Sequence, residues 1–303
     1  MSKIVVIGST NVDLIARVAH LPLPGETVGD AVFMQANGGK GANQAVAAAR
    51  LGGDVTFVTC LGNDANGAAL RSQFADDGID TSSIITTDDA PTGTALIFVS
   101  HDGENCIAVA PGANYRLTPE VVASKEECIA TAEYVLLQNE IPSESVALAI
   151  EKAHAAGAKA VLNPAPAMAV ADALLAKLYM ITPNETEAET LTGIAINTTD
   201  DAVRAADALL AKGVQNVIIT LGSKGALVKN SEIEQVVPAF RVEAVDTTAA
   251  GDVFNGALLV ALSEGKALTD AVRFAARCSA VAVTRMGAQT SIPWRKEIDA
   301  LLQ

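Results

Sequence analysis

The stretch DTTAAGDVFNGALL, residues 246–259, brings small residues and a carboxylate together just before an apolar run of helical period. Ala249, Ala250 and Gly251 have almost no side chain, so their backbone N–H groups at a helix N-terminus could approach an anion closely. A carboxylate beside such an anion hole, here Asp252, suits a base that removes a hydroxyl proton during phosphoryl transfer. Capping of the following helix is the ordinary role for an isolated Asp, and spacing alone does not decide between the two roles.

A second group of polar residues surrounds a glycine-rich stretch. Paired glycines allow a hinge or a close backbone approach, and Asn and Asp side chains suit neighbouring hydroxyl groups. For each residue alone a turn or cap role is the ordinary explanation, but their joint position at one crevice favours a ligand site. The residues are Asn11 and Asp13 after the strand-like run KIVVIG, and Gly38, Gly39, Lys40, Gly41 and Asn43 in NGGKGANQA.

Three further apolar runs end in polar or small residues. Glu140 follows YVLLQN, where a capping role is weak, whereas Asn184 and Glu187 follow LYMITP at the spacing of a capping box. The run NVIIT leads into LGSKG, whose Gly222 and Gly225 can adopt turn conformations. This loop fits a nucleotide, and an ordinary hairpin turn explains it nearly as well.

The elements that must position these residues alternate along the chain. Short β-branched runs are followed by segments of helical period, which include 42–51, 65–77 and 200–212. Such alternation predicts an α/β fold with a doubly wound, mostly parallel sheet flanked by helices, and ligands bind beyond the carboxyl ends of its strands. Residues 12–36 and 92–110 break the pattern with strand-like pieces that lack helices between them, and they predict a small β-sheet lid that also serves as a dimer contact.

Bulk composition narrows the classes of partner. The chain of 303 residues, half of them hydrophobic, predicts one α/β domain with the lid inserted in it. A formal charge of -14 argues against nucleic acid and anionic membranes as partners. The N-terminus lacks the apolar core of a signal peptide, which indicates a cytoplasmic protein. The four cysteines lie in apolar or helical contexts without C-x-x-C spacing, so reduced thiols are expected, with neither disulfides nor zinc.

Several common chemistries lack their motifs. His20, His101 and His154 show no metal-ligand spacing and are expected at the surface. A G-x-S-x-G elbow is absent, so serine hydrolysis is disfavoured. The P-loop and dinucleotide fingerprints are also absent, which leaves carboxylates, amides and small-residue loops to carry the chemistry.

Taken together and in order, NVDL, GGKGANQA, TPNETE, LGSKG and DTTAAGDVFNGAL resemble the sugar kinases of the PfkB or ribokinase family over the whole chain. The resemblance implies a doubly wound fold with a β-sheet lid that forms a homodimer contact. It implies that Asp252 is the general base and that Ala249, Ala250 and Gly251 form the anion hole. The implied sugar pocket consists of Asn11, Asp13, Gly39, Lys40, Asn43 and Glu140, with Asp252.

The resemblance also implies ATP, Mg²⁺ and a monovalent cation, K⁺, as cofactors. Asn184 and Glu187 match the family motif that organises Mg²⁺ through water. The implied ATP contacts are Asn184, Thr220, Leu221, Gly222, Ser223, Lys224, Gly225, Ala249, Ala250, Gly251 and Ala276. The implied cation site comprises Asp246, Thr248, Ala282, Arg285, Gly287 and Ser291. Ala276 departs from the polar residue frequent there in relatives, so its side chain cannot hydrogen-bond adenine.

The expected reaction is ATP-dependent phosphorylation of the 5-hydroxyl of D-ribose to D-ribose 5-phosphate. Few aromatic residues, 4% of the chain, are available to stack a purine in the acceptor pocket, which argues against a nucleoside acceptor. The residues do not separate ribose from 2-deoxyribose or arabinose. A non-catalytic sugar sensor is a further alternative, but it would have no use for a base beside the phosphate.

Overall fold

The computed structural model describes residues 3–301, which form an α/β fold with three sheets. The strands are β1 Lys3–Ile7, β2 Asn11–Val18, β3 Val32–Gly38, β4 Asp54–Val58, β5 Cys60–Gly62, β6 Ile85–Thr87, β7 Gly93–Ser100, β8 Asn105–Ala110, β9 Tyr134–Leu137, β10 Lys159–Leu162, β11 Met180–Ile181, β12 Asn216–Thr220, β13 Ala226–Lys229 and β14 Glu234–Val237. The helices are α1 Lys40–Arg50, α2 Ala65–Asp76, α3 Pro119–Ala123, α4 Glu126–Ala130, α5 Ser143–Ala156, α6 Asp172–Leu175, α7 Glu185–Thr192, α8 Thr199–Ala211, α9 Ala250–Ser263, α10 Leu268–Ala282 and α11 Arg295–Ala300.

The main sheet has eight strands in the order β14-β13-β12-β11-β10-β9-β1-β4. The six strands from β12 to β4 are parallel, and β13 and β14 add an antiparallel edge. Strands β9 to β12 are short, apolar and almost wholly buried, as expected of a sheet covered on both faces. The prediction of a doubly wound, mostly parallel sheet is confirmed.

Two hydrophobic cores lie on opposite faces of this sheet. Alternate residues of one strand divide between them: Ile4 and Val6 belong to the core under α1, α2, α9 and α10, whereas Val5 and Ile7 belong to the core under α5, α7 and α8. The period of two along each strand therefore assigns its side chains to the two helical layers. No helix within residues 3–301 has both the length and the apolar content to cross a bilayer.

A separate four-stranded sheet has the order β3-β2-β7-β8. Its strands lie within residues 11–38 and 93–110, close to the segments 12–36 and 92–110 that break the alternating pattern of the sequence, and β2 pairs with β7 in parallel. Its exposed apolar side chains include Phe33, Leu96 and Ile107, which are 66%, 48% and 53% exposed. Cys106 is exposed on β8, contrary to the apolar context expected for it, whereas Cys60 and Cys278 are buried.

Local boundaries differ from the predictions in two places that matter for the site. Asn11 and Asp13 do not end the first strand; they open β2, at the junction of the two sheets. The helix expected to follow Asp252 begins two residues before it, at Ala250. The cause is Ala249, whose left-handed conformation, with φ of 59°, turns the chain into the helix early. The three helices predicted at 42–51, 65–77 and 200–212 occur, and none of their ends differs from the prediction by more than two residues.

Helices α1 and α9 cross in close contact, and this crossing requires glycine at position 256. A Cβ atom on Gly256 would lie 2.7 Å from Cβ of Ala47 and 2.8 Å from the carbonyl oxygen of Gln44. Real side-chain atoms do not approach so closely, so a larger residue would separate the two helices. The crossing fixes the distance between the N-terminal turn of α9 and the Asn43–Gln44 pair of α1.

We expect Gly256→Ala to lower the free energy of unfolding by about 1–3 kcal/mol, because the added methyl overpacks the crossing. Urea unfolding of the variant measures this loss. Gly29→Ala is the matched control, since no atom of the described residues lies within 4 Å of a Cβ at Gly29, and it should change stability by less than about 0.5 kcal/mol. Equal stability of the two variants would contradict the importance of close approach at position 256.

Candidate active site

The candidate site lies where the eight-stranded sheet meets the four-stranded sheet, beyond the carboxyl ends of the parallel strands of the main sheet. The N-terminal turns of α1 and α9 converge there, and the residues that directly follow three neighbouring strands are all polar: Gln138 after β9, Asn163 after β10 and Thr182 after β11. Parallel strands present their carboxyl ends on one edge of a sheet, so the topology alone collects these groups.

Asp252 lies at the centre of this convergence and is only 6% exposed. It is the third residue of α9, and its oxygens do not cap the helix. Instead Oδ2 accepts a hydrogen bond of 2.9 Å from Nδ2 of Asn43, and Oδ1 accepts one of 2.9 Å from Nε2 of Gln44. The side chain is thus held toward α1, across the crevice. Asp252 therefore does not cap α9, which was the ordinary role that the sequence left open.

Burial raises the pKa of Asp252 above its ordinary value, while the Lys40 ammonium and the two amides act in the opposite direction. Burial alone would lower the pKa of Lys40, but the charges of Asp252, Glu140 and Glu187 raise it, so the ammonium remains charged. Lys40 therefore lies in the electrostatic field of three carboxylates, two from helices α7 and α9 and one from the loop after β9. Burial likewise raises the pKa of Glu187, opposed by its hydrogen bond to the backbone of Asn184 and by Lys40.

The predicted sugar-binding residues hydrogen-bond to groups around the start of α1 and β2. Oε2 of Glu140 accepts hydrogen bonds from Oγ of Ser9, at 2.5 Å, and from the backbone N–H of Lys40, at 3.0 Å. Oδ1 of Asn11 accepts from Nδ2 of Asn114 at 2.8 Å. The side-chain oxygen of Asn43 is buried and has no hydrogen-bond partner within residues 3–301, so this acceptor is available for a hydroxyl group of a ligand.

The glycines of the NGGKG stretch allow the backbone to approach these residues. A Cβ on Gly38 would lie 2.3 Å from Oδ2 of Asp13, and one on Gly39 would lie 2.7 Å from the backbone nitrogen of Asn11. Gly39 also has a φ of 89°, which side chains resist. Burial, and then the charge of Glu140, raise the pKa of Asp13 to about 6.

A cavity of about 570 Å³ lies beside the first turn of α9, the turn that carries Asp252. Its walls are largely apolar and come from the β12 loop, the 239–247 segment, α9 and α10. The predicted residues in its lining are Thr220, Gly222, Ser223, Gly225, Ala250 and Ala276. Leu221 and Lys224 of the same loop do not line it: Leu221 is buried in the core, and Lys224 points to Glu185 with 3.5 Å between Nζ and Oε1.

Asn184 and Glu187 form the capping box that their spacing predicts. Oδ1 of Asn184 accepts from the backbone of Glu187 at 2.8 Å, and Oε2 of Glu187 accepts from the backbone of Asn184 at 2.8 Å. Asn184 also pairs with Thr220 in a short bridge, which connects α7 to the loop that lines the cavity.

The predicted cation residues lie in two chain segments that Asp246 joins. Its Oδ1 accepts from the backbone and hydroxyl of Thr248 at 2.9 and 2.6 Å, and its Oδ2 accepts from the backbone of Gly287 at 2.8 Å. The side chains of Arg285 and Ser291 are engaged elsewhere, with Glu297 and with the carbonyl of Ala288. The carbonyl oxygen of Ala282 accepts from the backbone of Arg285 at 3.0 Å.

Comparison with known proteins identifies the class of enzyme. The sequence profile described as "pfkB family carbohydrate kinase" matches residues 1–295. The chain belongs to the pfkB family of carbohydrate kinases. It is therefore a phosphotransferase acting on sugars, and similarity over nearly the full length argues against the non-catalytic sensor.

Three relatives show how closely the chain follows the family. A ribokinase of Haemophilus influenzae is 46% identical over 292 residues, which cover 96% of this chain and 95% of the relative. A deoxyribokinase of Salmonella typhimurium is 40% identical over 291 residues, with the same two coverages. The structure of Arabidopsis thaliana ribokinase complexed with ribose and ATP matches with a TM-score of 0.92 at 34% identity, and the match covers 100% of this chain and 99% of that one.

Sequence reasoning missed two parts of the site. Gln44 lies inside the quoted stretch NGGKGANQA, and a polar residue on a helix of alanines was the available signal. Phe240 lines the cavity with the guanidinium of Arg277 4.7 Å from its ring centre, and the loop that carries it shows no periodicity that would have identified it.

The raised pKa of Asp13 predicts that this residue lowers the free energy of unfolding as the pH rises. Between about pH 4 and 6 the folded protein retains a proton on Asp13 that the unfolded chain has released, so this carboxyl makes folding less favourable as pH rises through that window. Asp13→Asn removes the effect. Relative to the native chain, the variant should gain on the order of 2 kcal/mol of unfolding free energy between pH 4.5 and pH 7. Urea titrations at both values measure the gain, and an identical difference at the two pH values would contradict it.

Proposed function

We propose that the protein transfers the γ-phosphoryl group of ATP to the 5-hydroxyl of D-ribose and forms D-ribose 5-phosphate. The observation that carries the proposal is the position of Asp252, a buried carboxylate that accepts hydrogen bonds from two amides of α1 and belongs to the helix whose first turn borders an apolar cavity. The Arabidopsis relative, which was solved with ribose and ATP, supports this pair of substrates.

In the proposed mechanism Asp252 accepts the proton of the sugar hydroxyl as that oxygen attacks phosphorus in line. The polar groups of Asn11, Asp13, Asn43 and Glu140 would hold the other hydroxyls of the sugar, with the unpartnered oxygen of Asn43 as one acceptor. Lys40 lies in the field of carboxylates on both sides of the crevice and would offset the charge of the incoming phosphate.

ATP would occupy the cavity beside α9, with adenine between its apolar walls and phosphates toward the helix N-terminus. The first-turn amides of a helix have no acceptor within it, so those of Gly251 and Asp252 could meet phosphate oxygens. The amide of Ala250 already donates to the carbonyl of Thr247 at 3.2 Å, and this bond would have to open if Ala250 takes part. The left-handed conformation of Ala249 sets the direction in which this turn begins. Backbone strain of this kind in a non-glycine residue is found at functional sites.

The proposal includes two metal ions. Mg²⁺ would be held through water by Asn184 and Glu187 and would neutralise phosphate charge when it binds with the nucleotide. Both Glu187 oxygens accept hydrogen bonds from Asn184, which fits an indirect contact better than direct coordination. A monovalent cation, K⁺, would lie between the two segments that Asp246 joins by its hydrogen bonds, and the family resemblance implies that backbone carbonyl oxygens would be its main ligands.

The four-stranded sheet is proposed as a lid over the sugar, and its outer apolar surface as a homodimer contact. Asn11 and Asp13 lie on its strand β2, so a movement of the sheet would carry acceptor residues with it. Phe33 and Phe98 lie in one row across β3, β2 and β7, opposite Ala16, and are 66% and 39% exposed. Contiguous exposed apolar side chains of this kind mark interfaces, which supports a second copy as the partner.

2-Deoxyribose is the second candidate acceptor, because the Salmonella deoxyribokinase is 40% identical along nearly the whole chain. The two sugars differ by one hydroxyl, and a site built to hydrogen-bond a hydroxyl rejects the sugar that lacks it.

Asp252→Asn should reduce kcat by about 10²–10⁴-fold and leave the affinity for ribose within a few-fold, because the amide keeps the shape of the carboxylate but cannot accept the proton. A coupled assay of ADP release measures kcat, and calorimetry measures sugar affinity. Turnover close to that of the native enzyme would remove Asp252 as the base.

A sugar panel tests the substrate directly. With ribose, 2-deoxyribose and arabinose in the same ADP-release assay, kcat/KM should be highest for ribose and should increase when potassium replaces a bulky organic cation. A best value for another sugar would replace ribose in the proposal, and indifference to potassium would remove the cation site.

A further inference from the structure

Gln44 contacts the proposed base and is fully buried, which separates it from the residues expected to touch the sugar. It follows Asn43 on α1, and its Nε2 donates to Oδ1 of Asp252 at 2.9 Å and to Oδ1 of Asn163 at 3.0 Å. Its Oε1 accepts a hydrogen bond of 2.6 Å from Nε2 of Gln138. Both ends of the Gln44 amide are therefore bonded to other side chains of the protein.

The orientation of this amide is fixed from a main-chain group. The carbonyl oxygen of Thr182 can only accept, and it accepts from Nδ2 of Asn163 at 3.1 Å. The other end of the Asn163 amide, Oδ1, must then face Gln44. Because Oδ1 can only accept, Gln44 must present its NH₂ group to it. The NH₂ group of Gln44 is thereby directed at both Asn163 and the carboxylate of Asp252.

The same row of hydrogen bonds continues to the first turn of α9. Oγ1 of Thr182 donates to Oδ1 of Asn255 at 2.6 Å, and Nδ2 of Asn255 donates to the carbonyl of Gly251 at 2.8 Å. The residues directly after β9, β10 and β11 are thus connected to the turn that carries Asp252, and Gln44 is the member that contacts the base itself. Such a connected buried network holds its members in one geometry.

We propose that Gln44 is a positioning residue for the base: it holds Oδ1 of Asp252 and leaves Oδ2, on the side of Asn43, to meet the acceptor hydroxyl. This inference rests on the assignment of Asp252 as the base. Placement within a fraction of an ångström matters here because a reacting oxygen and its base must be in hydrogen-bond contact as the reaction begins.

The charged groups around Asp252 determine what loss of Gln44 would do to its titration. Burial and Glu140 raise the pKa of Asp252, whereas Lys40, Asn43 and Gln44 lower it, and Asp252 in turn raises the pKa of Glu187. Removing the Gln44 donor takes away one interaction that favours the ionised form. Only ionised Asp252 can accept a proton. The acid limb of the pH profile of kcat, which is the pH range where kcat rises as Asp252 ionises, must therefore move to higher pH.

Two variants test the inference. Gln44→Met keeps the volume and removes the donor; it should lower kcat by about 10–100-fold, change the KM for ribose by less than about threefold, and move the acid limb up by about one pH unit. Gln44→Glu keeps the shape and the contact with Gln138 and adds a negative charge beside Asp252, so its limb should lie higher still. It also serves as the second variant if Gln44→Met folds poorly by circular dichroism.

Asn216→Leu is the matched control, because it removes a buried amide at the amino end of β12, away from the site. This variant should have the same kcat and the same acid limb of its pH profile as the native enzyme. An unshifted limb in both Gln44 variants, or a rise in KM for ribose with kcat unchanged, would overturn the role of Gln44. Asp252→Asn, measured in parallel, separates the two proposals: if it retains turnover, the base itself is misassigned, and if it is inactive while the Gln44 variants are normal, only the positioning role is wrong.

Discussion

A buried carboxylate must be compensated, and the compensation of Asp252 determines much of the surrounding structure. Removing an ionised carboxylate from water costs several kcal/mol even in a relaxed protein, so it requires donors and a nearby cation. Here Asn43 and Gln44 supply the donors, and the ammonium of Lys40 supplies positive charge. All three belong to the first five residues of α1, so the position of that helix relative to α9 sets the electrostatic state of the site.

Small residues allow α1 and α9 to lie in this position relative to each other. Gly256 lets α9 lie against Ala47 and Ala48 of α1, and Gly41 brings the start of α1 against the backbone of Gly8 and Ser9, at the end of β1. A Cβ at either glycine would lie under 3 Å from backbone atoms. Close helix contact thus has a chemical consequence at this site, since it brings the carboxylate of one helix to the amides of another. The polar residues that directly follow β9, β10 and β11 add their side chains to the crevice, next to the same pair of helices.

The sequence predicted the architecture because its signals are local and periodic. Apolar runs such as KIVVIG and YVLLQNE have the length and composition of buried parallel strands, and two stretches without helices became the four-stranded sheet. The capping box of Asn184 and Glu187 could also be predicted, since it depends on spacing alone. The convergence of Asn43 and Asp252, 209 positions apart, was expected from the family resemblance rather than from any local pattern.

Other features of the site depend on tertiary packing and left little trace in the sequence. The contact between Gln44 and Asp252 follows from the helix crossing, and the stacking of Arg277 on Phe240 follows from a loop without periodic structure. The start of α9 at Ala250 was missed because a non-glycine residue in the left-handed conformation is uncommon and no pattern predicts it.

In the proposed mechanism Asp252, held by the amides of α1, contacts the acceptor hydroxyl of the sugar. A crystal structure with ribose and a non-hydrolysable ATP analogue tests it most directly. We expect a carboxylate oxygen of Asp252 at about 2.6–3.2 Å from the 5-hydroxyl, with the terminal phosphate in line on the far side of the hydroxyl oxygen. A ribose whose 5-hydroxyl lies away from Asp252, or a nucleotide outside the cavity beside α9, would contradict it.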